Sequence, residues 1–185
     1  NGDGIIDTHD QVKLGNSIPK WMGGFNTSAS WKGLTLFARF DYALGYKKWN
    51  SGYQYFMGIT SGFFNVPELA KKTWTEDNPT AGLPVLMTND TNFKKNYTRN
   101  TSLFWENAAY LCAREISLSY DLPSQWTKKA MMEKVTVTLT GQNLFYVTSN
   151  NLYTPEYDSK NNTKDDGKGG YALPKTVLMG IKVVF

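Results

Sequence analysis

The residues whose types and spacing suit chemistry stand at the start of the chain, Asn1-Gly2-Asp3-Gly4-Ile5-Ile6-Asp7-Thr8-His9-Asp10. They match most of an EF-hand-like calcium loop. Gly4 takes the sharp turn, Asn1 and Asp3 the third and fifth positions, the Ile5 carbonyl the main-chain donor, and Asp7 and Asp10 the ninth and twelfth. The opening Asp is absent, and Asp10 is a shorter arm than the usual bidentate Glu. Two readings stand: an ordered Ca2+ site in an intact protein, or a solvated polar turn. No helical periodicity flanks the run, which argues against a free-standing sensor EF-hand.

Other chemistry is sparse. Cys112 is the single cysteine, so neither an internal disulfide nor a cysteine metal framework can form. His9 is the single histidine and lies far in sequence from Cys112, which leaves a Ser/His/Asp or Cys/His site without support and predicts a chain that is not an enzyme. The net charge of +4 is carried by scattered Lys and Arg, not the clustered basic face that nucleic acid requires. Aromatics make up 15% of residues. Trp49, Tyr53, Tyr55, Trp74, Trp105 and Tyr153 are the substrate-contact candidates, either as stacking platforms for sugars or as the small core of their own loops.

The elements that must position these residues are strands. Thr176 to Phe185 alternates Val177, Met179, Ile181, Val183 and Phe185 with Thr176, Leu178, Gly180, Lys182 and Val184, one face wholly apolar and the other mixed. About ten residues suffice for a tilted strand to cross a bilayer. No run of about 18 apolar residues supplies a spanning helix. Upstream, Phe25, Thr27, Ala29 and Trp31 alternate with Gly24, Asn26, Ser28 and Ser30. Lys32-Gly33 reverses the chain, and Leu34, Leu36, Ala38, Phe40 and Tyr42 then alternate with Thr35, Phe37, Arg39 and Asp41. The second faces are too polar for a dry sandwich core and suit a wetted lumen.

Ile116, Leu118, Tyr120 and Leu122 oppose Glu115, Ser117, Ser119 and Asp121, and Val135, Val137 and Leu139 oppose Thr136, Thr138 and Thr140. Carrying the first of these phases backwards puts Cys112 and Arg114 on the apolar face, so that part of the strand is expected to project beyond the membrane. In the region between the hairpin and Tyr110, Pro67 to Trp74 is predicted as a short helix, with Asn65 as its cap and Pro67 in its first position.

The predicted fold is all-β: about five antiparallel strands of a large transmembrane β-barrel with long extracellular loops, in a fragment of a longer chain that begins inside a motif without an initiator Met. Residues 1–20 form an acidic, calcium-like extracellular loop, 23–45 a hairpin, and 46–109 a long extracellular loop. Residues 110–147 hold two strands joined by a short periplasmic connection, 148–175 a second extracellular loop, and 176–185 the terminal strand. Short connections alternate with long ones, as in outer-membrane barrels. Val177, Met179, Ile181, Val183 and Phe185, ending on an outward aromatic, resemble the signal read by barrel-assembly machinery.

The sequence resembles the C-terminal part of SusC/RagA-type TonB-dependent outer-membrane transporters of Bacteroidetes. The likeness runs through Asn1-Gly2-Asp3-Gly4, Gly15-Asn16 with Pro19-Lys20-Trp21 and Gly23-Gly24-Phe25, and Ala109-Tyr110-Leu111 leading to Ile116-Ser117-Leu118-Ser119-Tyr120-Asp121-Leu122-Pro123. It continues through Gly141-Gln142-Asn143-Leu144-Phe145, Thr154-Pro155-Glu156-Tyr157 and Gly180 to Phe185. Where the family commonly has Arg after the Tyr-Leu pair, this chain has Cys112 and Ala113, so any role of that Arg does not carry over. The resemblance implies a plugged barrel of about 22 strands in the Gram-negative outer membrane, importing glycan or peptide fragments. It also implies partners: a SusD-like lipoprotein, TonB acting through upstream regions, the barrel-assembly machinery, outer-membrane lipid and the rest of the barrel. Two other functions compete on residue pattern alone, an outer-membrane barrel of another class such as an adhesin or porin, and a secreted carbohydrate-binding β-sandwich.

Overall fold

The computed structural model describes residues 8–58, 65–86, 96–150, 152, 154–156, 164–165 and 173–185. Five long or medium strands make one antiparallel sheet in the order β1 (Trp21–Trp31), β2 (Leu34–Leu44), β5 (Tyr110–Asp121), β6 (Lys134–Gln142) and β9 (Thr176–Val184), with β7 (Tyr146–Thr148) pairing the start of β5. At one end a second sheet is built from β4 (Trp105–Asn107), β3 (Lys47–Asn50) and β8 (Lys164–Asp165), β8 lying parallel to β3.

The period-two pattern sets the register. Ala29, Leu36, Leu118, Leu139 and Met179 lie side by side across the large sheet, as do Trp31, Leu34, Tyr120, Val137 and Ile181. Most of these apolar side chains are exposed, and Phe25 stacks on Phe40 at 5.1 Å within the same face. The opposite face carries Ser30, Thr35, Ser119, Thr138 and Gly180 in one row and Ser28, Phe37, Ser117, Thr140 and Leu178 in the next. Its hydroxyls bond across strands: Ser30 with Thr35 at 2.9 Å, Ser117 with Thr140 at 2.9 Å, Ser119 with Thr138 at 3.0 Å. Arg39 and Asp41 lie on this hydroxyl face and Leu36 and Phe40 on the apolar one. A one-residue slip in any strand would exchange the faces, so the apolar pattern fixes the pairing.

The short connections gather at one end. Lys32 (φ 47°) and Gly33 (φ 83°) form the two-residue turn with positive φ at both positions that suits the twist of a hairpin. The second connection holds α2 (Ser124–Thr127) and a 3-10 turn at Lys128–Ala130, and turns back at Met131 in a left-handed conformation. The Asp121 amide bonds the Gly33 carbonyl at 2.8 Å, and the Glu133 amide bonds the Val184 carbonyl at 2.8 Å, so the end of β9 lies beside these turns. At the opposite end the 46–109 region is more ordered than its composition suggests: besides β3 and β4 it contains α1 (Ser51–Gly58). β3 shows no alternation because Lys48, Trp49 and Asn50 are all buried. The expected helix at Pro67 to Trp74 is a 3-10 turn over Glu68–Lys72; Pro67 occupies the cap position, and Asn65 does not cap it.

The face expected for the start of β5 is also overturned. Cys112 and Arg114 do not continue the apolar face of β5. Arg39 pairs with Glu115 but Phe40 with Ala113, which leaves Arg114 as the extra residue of a β-bulge. The bulge reverses the phase of the strand, so Cys112 stands opposite Asp41, on the hydroxyl face.

Glycine positions test this geometry. A Cβ at Gly33 would stand 3.1 Å from the Asp121 carbonyl oxygen in a backbone conformation that L-residues rarely adopt, whereas Gly180 has nothing within 4 Å. Gly33→Ala should destabilise the folded barrel by about 1–3 kcal/mol, and Gly180→Ala should leave it nearly unchanged. The heat-induced mobility shift of the intact receptor on gels, followed against temperature, measures both.

Candidate functional site

The bulge brings a charged cluster together where the large sheet meets the loop layer. The Arg114 guanidinium grips both Asp41 carboxylate oxygens, Nε to Oδ1 at 2.7 Å and Nη2 to Oδ2 at 2.6 Å. Its Nη1 donates to Glu156 Oε1 at 3.0 Å and to Asn143 Oδ1 at 2.9 Å. A planar fork against a carboxylate in bidentate geometry is the strong form of such a pair. Asn143 can reach it because its backbone is left-handed (φ 52°), a conformation Asn tolerates better than most residues. Its Nδ2 also donates to the Pro174 carbonyl at 3.3 Å. Leu144 folds back over Gly141, where a Cβ would approach Leu144 Cδ2 to 2.7 Å. The Gly141-Gln142-Asn143-Leu144-Phe145 motif is thus a strand that breaks step beside the bulge and resumes as β7.

Glu156 is held from further sides. The Tyr146 hydroxyl donates to its carboxylate, and the Tyr46 hydroxyl donates to the Pro155 carbonyl. Lys48, only 2% exposed, donates from Nζ to the carbonyls of Thr154 at 3.1 Å and Glu156 at 3.0 Å. Burial, then the neighbouring Tyr110 and Glu156, hold the Tyr46 phenol well above its usual pKa, so it acts as a neutral donor. Ala43, Tyr46, Ala108, Tyr110 and Cys112 form the apolar packing around the cluster. Arg114 thus bridges two carboxylates while Lys48 holds main-chain carbonyls, and among the described residues no buried side-chain nitrogen or oxygen lacks a partner.

The loop layer has its own core of Trp49, Met57, Tyr97 and Phe104. Asn50 starts α1: its Oδ1 accepts from the Tyr53 amide at 2.8 Å, and its Nδ2 donates to Glu106 at 2.7 Å. Burial, with Glu106 nearby, raises the Tyr53 phenol.

The substrate-contact candidates separate on this geometry. Trp49, at 6% exposure, packs against Phe104 and Trp105; Tyr53 meets the edge of Phe104, and Trp105 is half-buried. Tyr55 is half-buried against Phe56, while Trp74 is 40% exposed. Tyr153 lies outside the described residues, as do Asn1, Asp3, Ile5 and Asp7 of the acidic run; Asp10 ends a 3-10 turn at Thr8–Asp10. Among the described residues no cluster of His, Cys, Asp or Glu has metal-holding geometry. Sequence reasoning missed Lys48, Asn143 and Glu156. The signal for Asn143 and Glu156 lay in Gly141-Gln142-Asn143 and Thr154-Pro155-Glu156, motifs without alternation, while Lys48 carried none.

An apolar belt on one face, paired hydroxyls on the other, short turns at one end and a thick loop layer at the other define a section of transmembrane β-barrel wall. No family model matches the chain. Along its whole length it is similar to the TonB-dependent receptors P26 and P3 of Formosa agariphila, at 28% and 24% identity, spanning 19% and 18% of those proteins. The RagAB peptide importer in its open-open state superposes over 90% of the chain, with TM-score 0.70 and 30% identity, and the chain covers 17% of that structure. The closed-closed state covers 98% of the chain, with TM-score 0.67 and 26% identity. In sequence and in fold the chain is similar to a barrel segment of SusC/RagA-type TonB-dependent receptors. It spans about a fifth of the length of the curated relatives it matches.

Trp49→Ala should cost the loop layer about 3–5 kcal/mol of local stability. Trp74→Ala should leave stability unchanged, and any effect it has should fall on substrate uptake. Hydrogen exchange of the Trp49 and Phe104 peptides, with uptake measured on the same receptors, separates the two roles.

Proposed function

We propose that this chain forms barrel wall and extracellular loops of an outer-membrane, TonB-dependent importer of glycan or peptide fragments in a Bacteroidetes-like bacterium, working with a SusD-like lipoprotein. The carrying observation is the combination of an apolar belt backed by a hydroxyl wall with likeness over 90% of the chain to RagAB, a peptide importer. TonB acts through parts of the receptor upstream of these residues. The loop layer is where cargo and lipoprotein meet the receptor, with Trp74 the most exposed of the described candidate rings. The acidic run at Asn1 to Asp10 serves as a Ca2+ site that steadies the same layer, a reading supported by residue spacing alone. The outward face of β9, Val177, Met179, Ile181, Val183 and Phe185, serves barrel assembly as well as lipid contact.

In the intact receptor, Leu139→Arg places a charge on the apolar face and should destabilise the barrel by about 2–4 kcal/mol if that face lies near mid-bilayer; Thr138→Arg, on the hydroxyl face, should be tolerated. Folded yield in outer-membrane fractions measures the difference. Equal yields would count against the barrel orientation. For transport, cells carrying the receptor with its neighbouring lipoprotein should accumulate labelled oligosaccharides or oligopeptides only while TonB is energised. Accumulation indifferent to TonB would sink the importer reading in favour of a porin or adhesin.

A further inference from the structure

Thr154-Pro155-Glu156 is held carbonyl by carbonyl. Lys48 takes the carbonyls of Thr154 and Glu156, Tyr46 takes that of Pro155, and Arg114 and Tyr146 take the Glu156 side chain. These donors come from different places. Arg114 is the bulge residue of a wall strand, Tyr146 begins β7, and Lys48 sits in β3, the central strand of the loop sheet. Its strand β3 lies between β4 of the first long loop and β8 of the second, with Lys48 itself opposite Glu106, while Arg114 fixes the same tripeptide to the wall through Asp41. Such a stack of charges exceeds what closing a surface loop needs, since loops are ordinarily tolerated with far less ordering.

We propose that Lys48, Arg114 and Glu156 are positioning residues: together they form a strut that locks Thr154-Pro155-Glu156 to both the first long loop and the barrel wall, so that the receptor presents a preset surface there to incoming cargo. The idea rests on the importer reading and adds a mechanism of capture to it. Neither Lys48 nor Glu156 need touch cargo. Each acts by holding the tripeptide, and a ligand meeting a preset surface loses less in ordering it.

The strut predicts a specific split. In the full receptor, Glu156→Gln keeps the shape and removes the charge, and Lys48→Met keeps the stem and removes the donors. In both, amide exchange at Thr154 and Glu156 should accelerate about tenfold or more, while Ser117 to Asp121 of β5 keeps its protection and the barrel keeps its heat-induced gel shift. The KM for uptake should rise about tenfold, equivalent to about 1.4 kcal/mol, with the maximal rate per folded receptor unchanged. Arg114→Lys, which retains the charge but not the fork, should fall between wild type and these variants. Unchanged exchange at the tripeptide overturns the strut; so does a loss of protection that spreads through β5, which is the signature of a merely structural role. A fall in maximal rate with KM constant also overturns it. Should the wild-type receptor import nothing, the importer reading fails and the exchange data alone decide the strut.

Discussion

The contact on which the rest depends is the fork of Arg114 on Asp41. It exists because one extra residue in β5 turns the side-chain phase over, and without that turn the guanidinium would point into the apolar belt. A charge on that side is costly near the middle of a bilayer. Placed on the other side, it meets a carboxylate, an amide and a second carboxylate at hydrogen-bond distance. The bulge is thus the boundary between two regimes of one strand. Towards the short turns the wall is a regular ladder governed by alternation; towards the loops it is a socket governed by charge. Removing one member would leave its partner desolvated and uncompensated, which is why such clusters tend to be kept whole or not at all.

The two regimes divide how much was legible in the sequence. The ladder was legible: Leu36, Leu118, Leu139 and Met179 announce their common face by spacing alone, and the hairpin follows from Lys32-Gly33 between alternating runs. The socket was not. Period-two reasoning assumes that a strand keeps its phase, and nothing in Cys112-Ala113-Arg114 marks the extra residue. The guanidinium on that face comes from Arg114, two residues beyond Cys112. Lys48 misleads in the opposite sense, since a lysine in a polar stretch ordinarily points to water, whereas here it is buried with carbonyls contributed from about a hundred residues away.

The loop layer was half legible. Its richness in aromatics signalled either cargo contact or a local core, and sequence offered no way to rank individual rings. Geometry ranks them by burial, giving Trp49 and Phe104 to the core and leaving Trp74 outside. The helix α1 escaped notice because Gly52, Tyr53, Tyr55 and Phe56 are indifferent or poor helix formers. Its start depends on Asn50, whose side chain is itself oriented by Glu106 of the facing strand. Tertiary contact supplied what local propensity lacked.

The hydroxyl rows have a consequence of their own. In each bonded pair, Ser30 with Thr35, Ser117 with Thr140 and Ser119 with Thr138, either oxygen can be the donor. Rotating two O–H bonds exchanges donor and acceptor while every heavy atom stays where it is. Each pair keeps one proton that can turn toward whatever comes near. These pairs have no fixed polarity: each can answer a carbonyl with a proton or an amide with a lone pair. At these three pairs the wall is fixed in its heavy atoms and reversible in its protons.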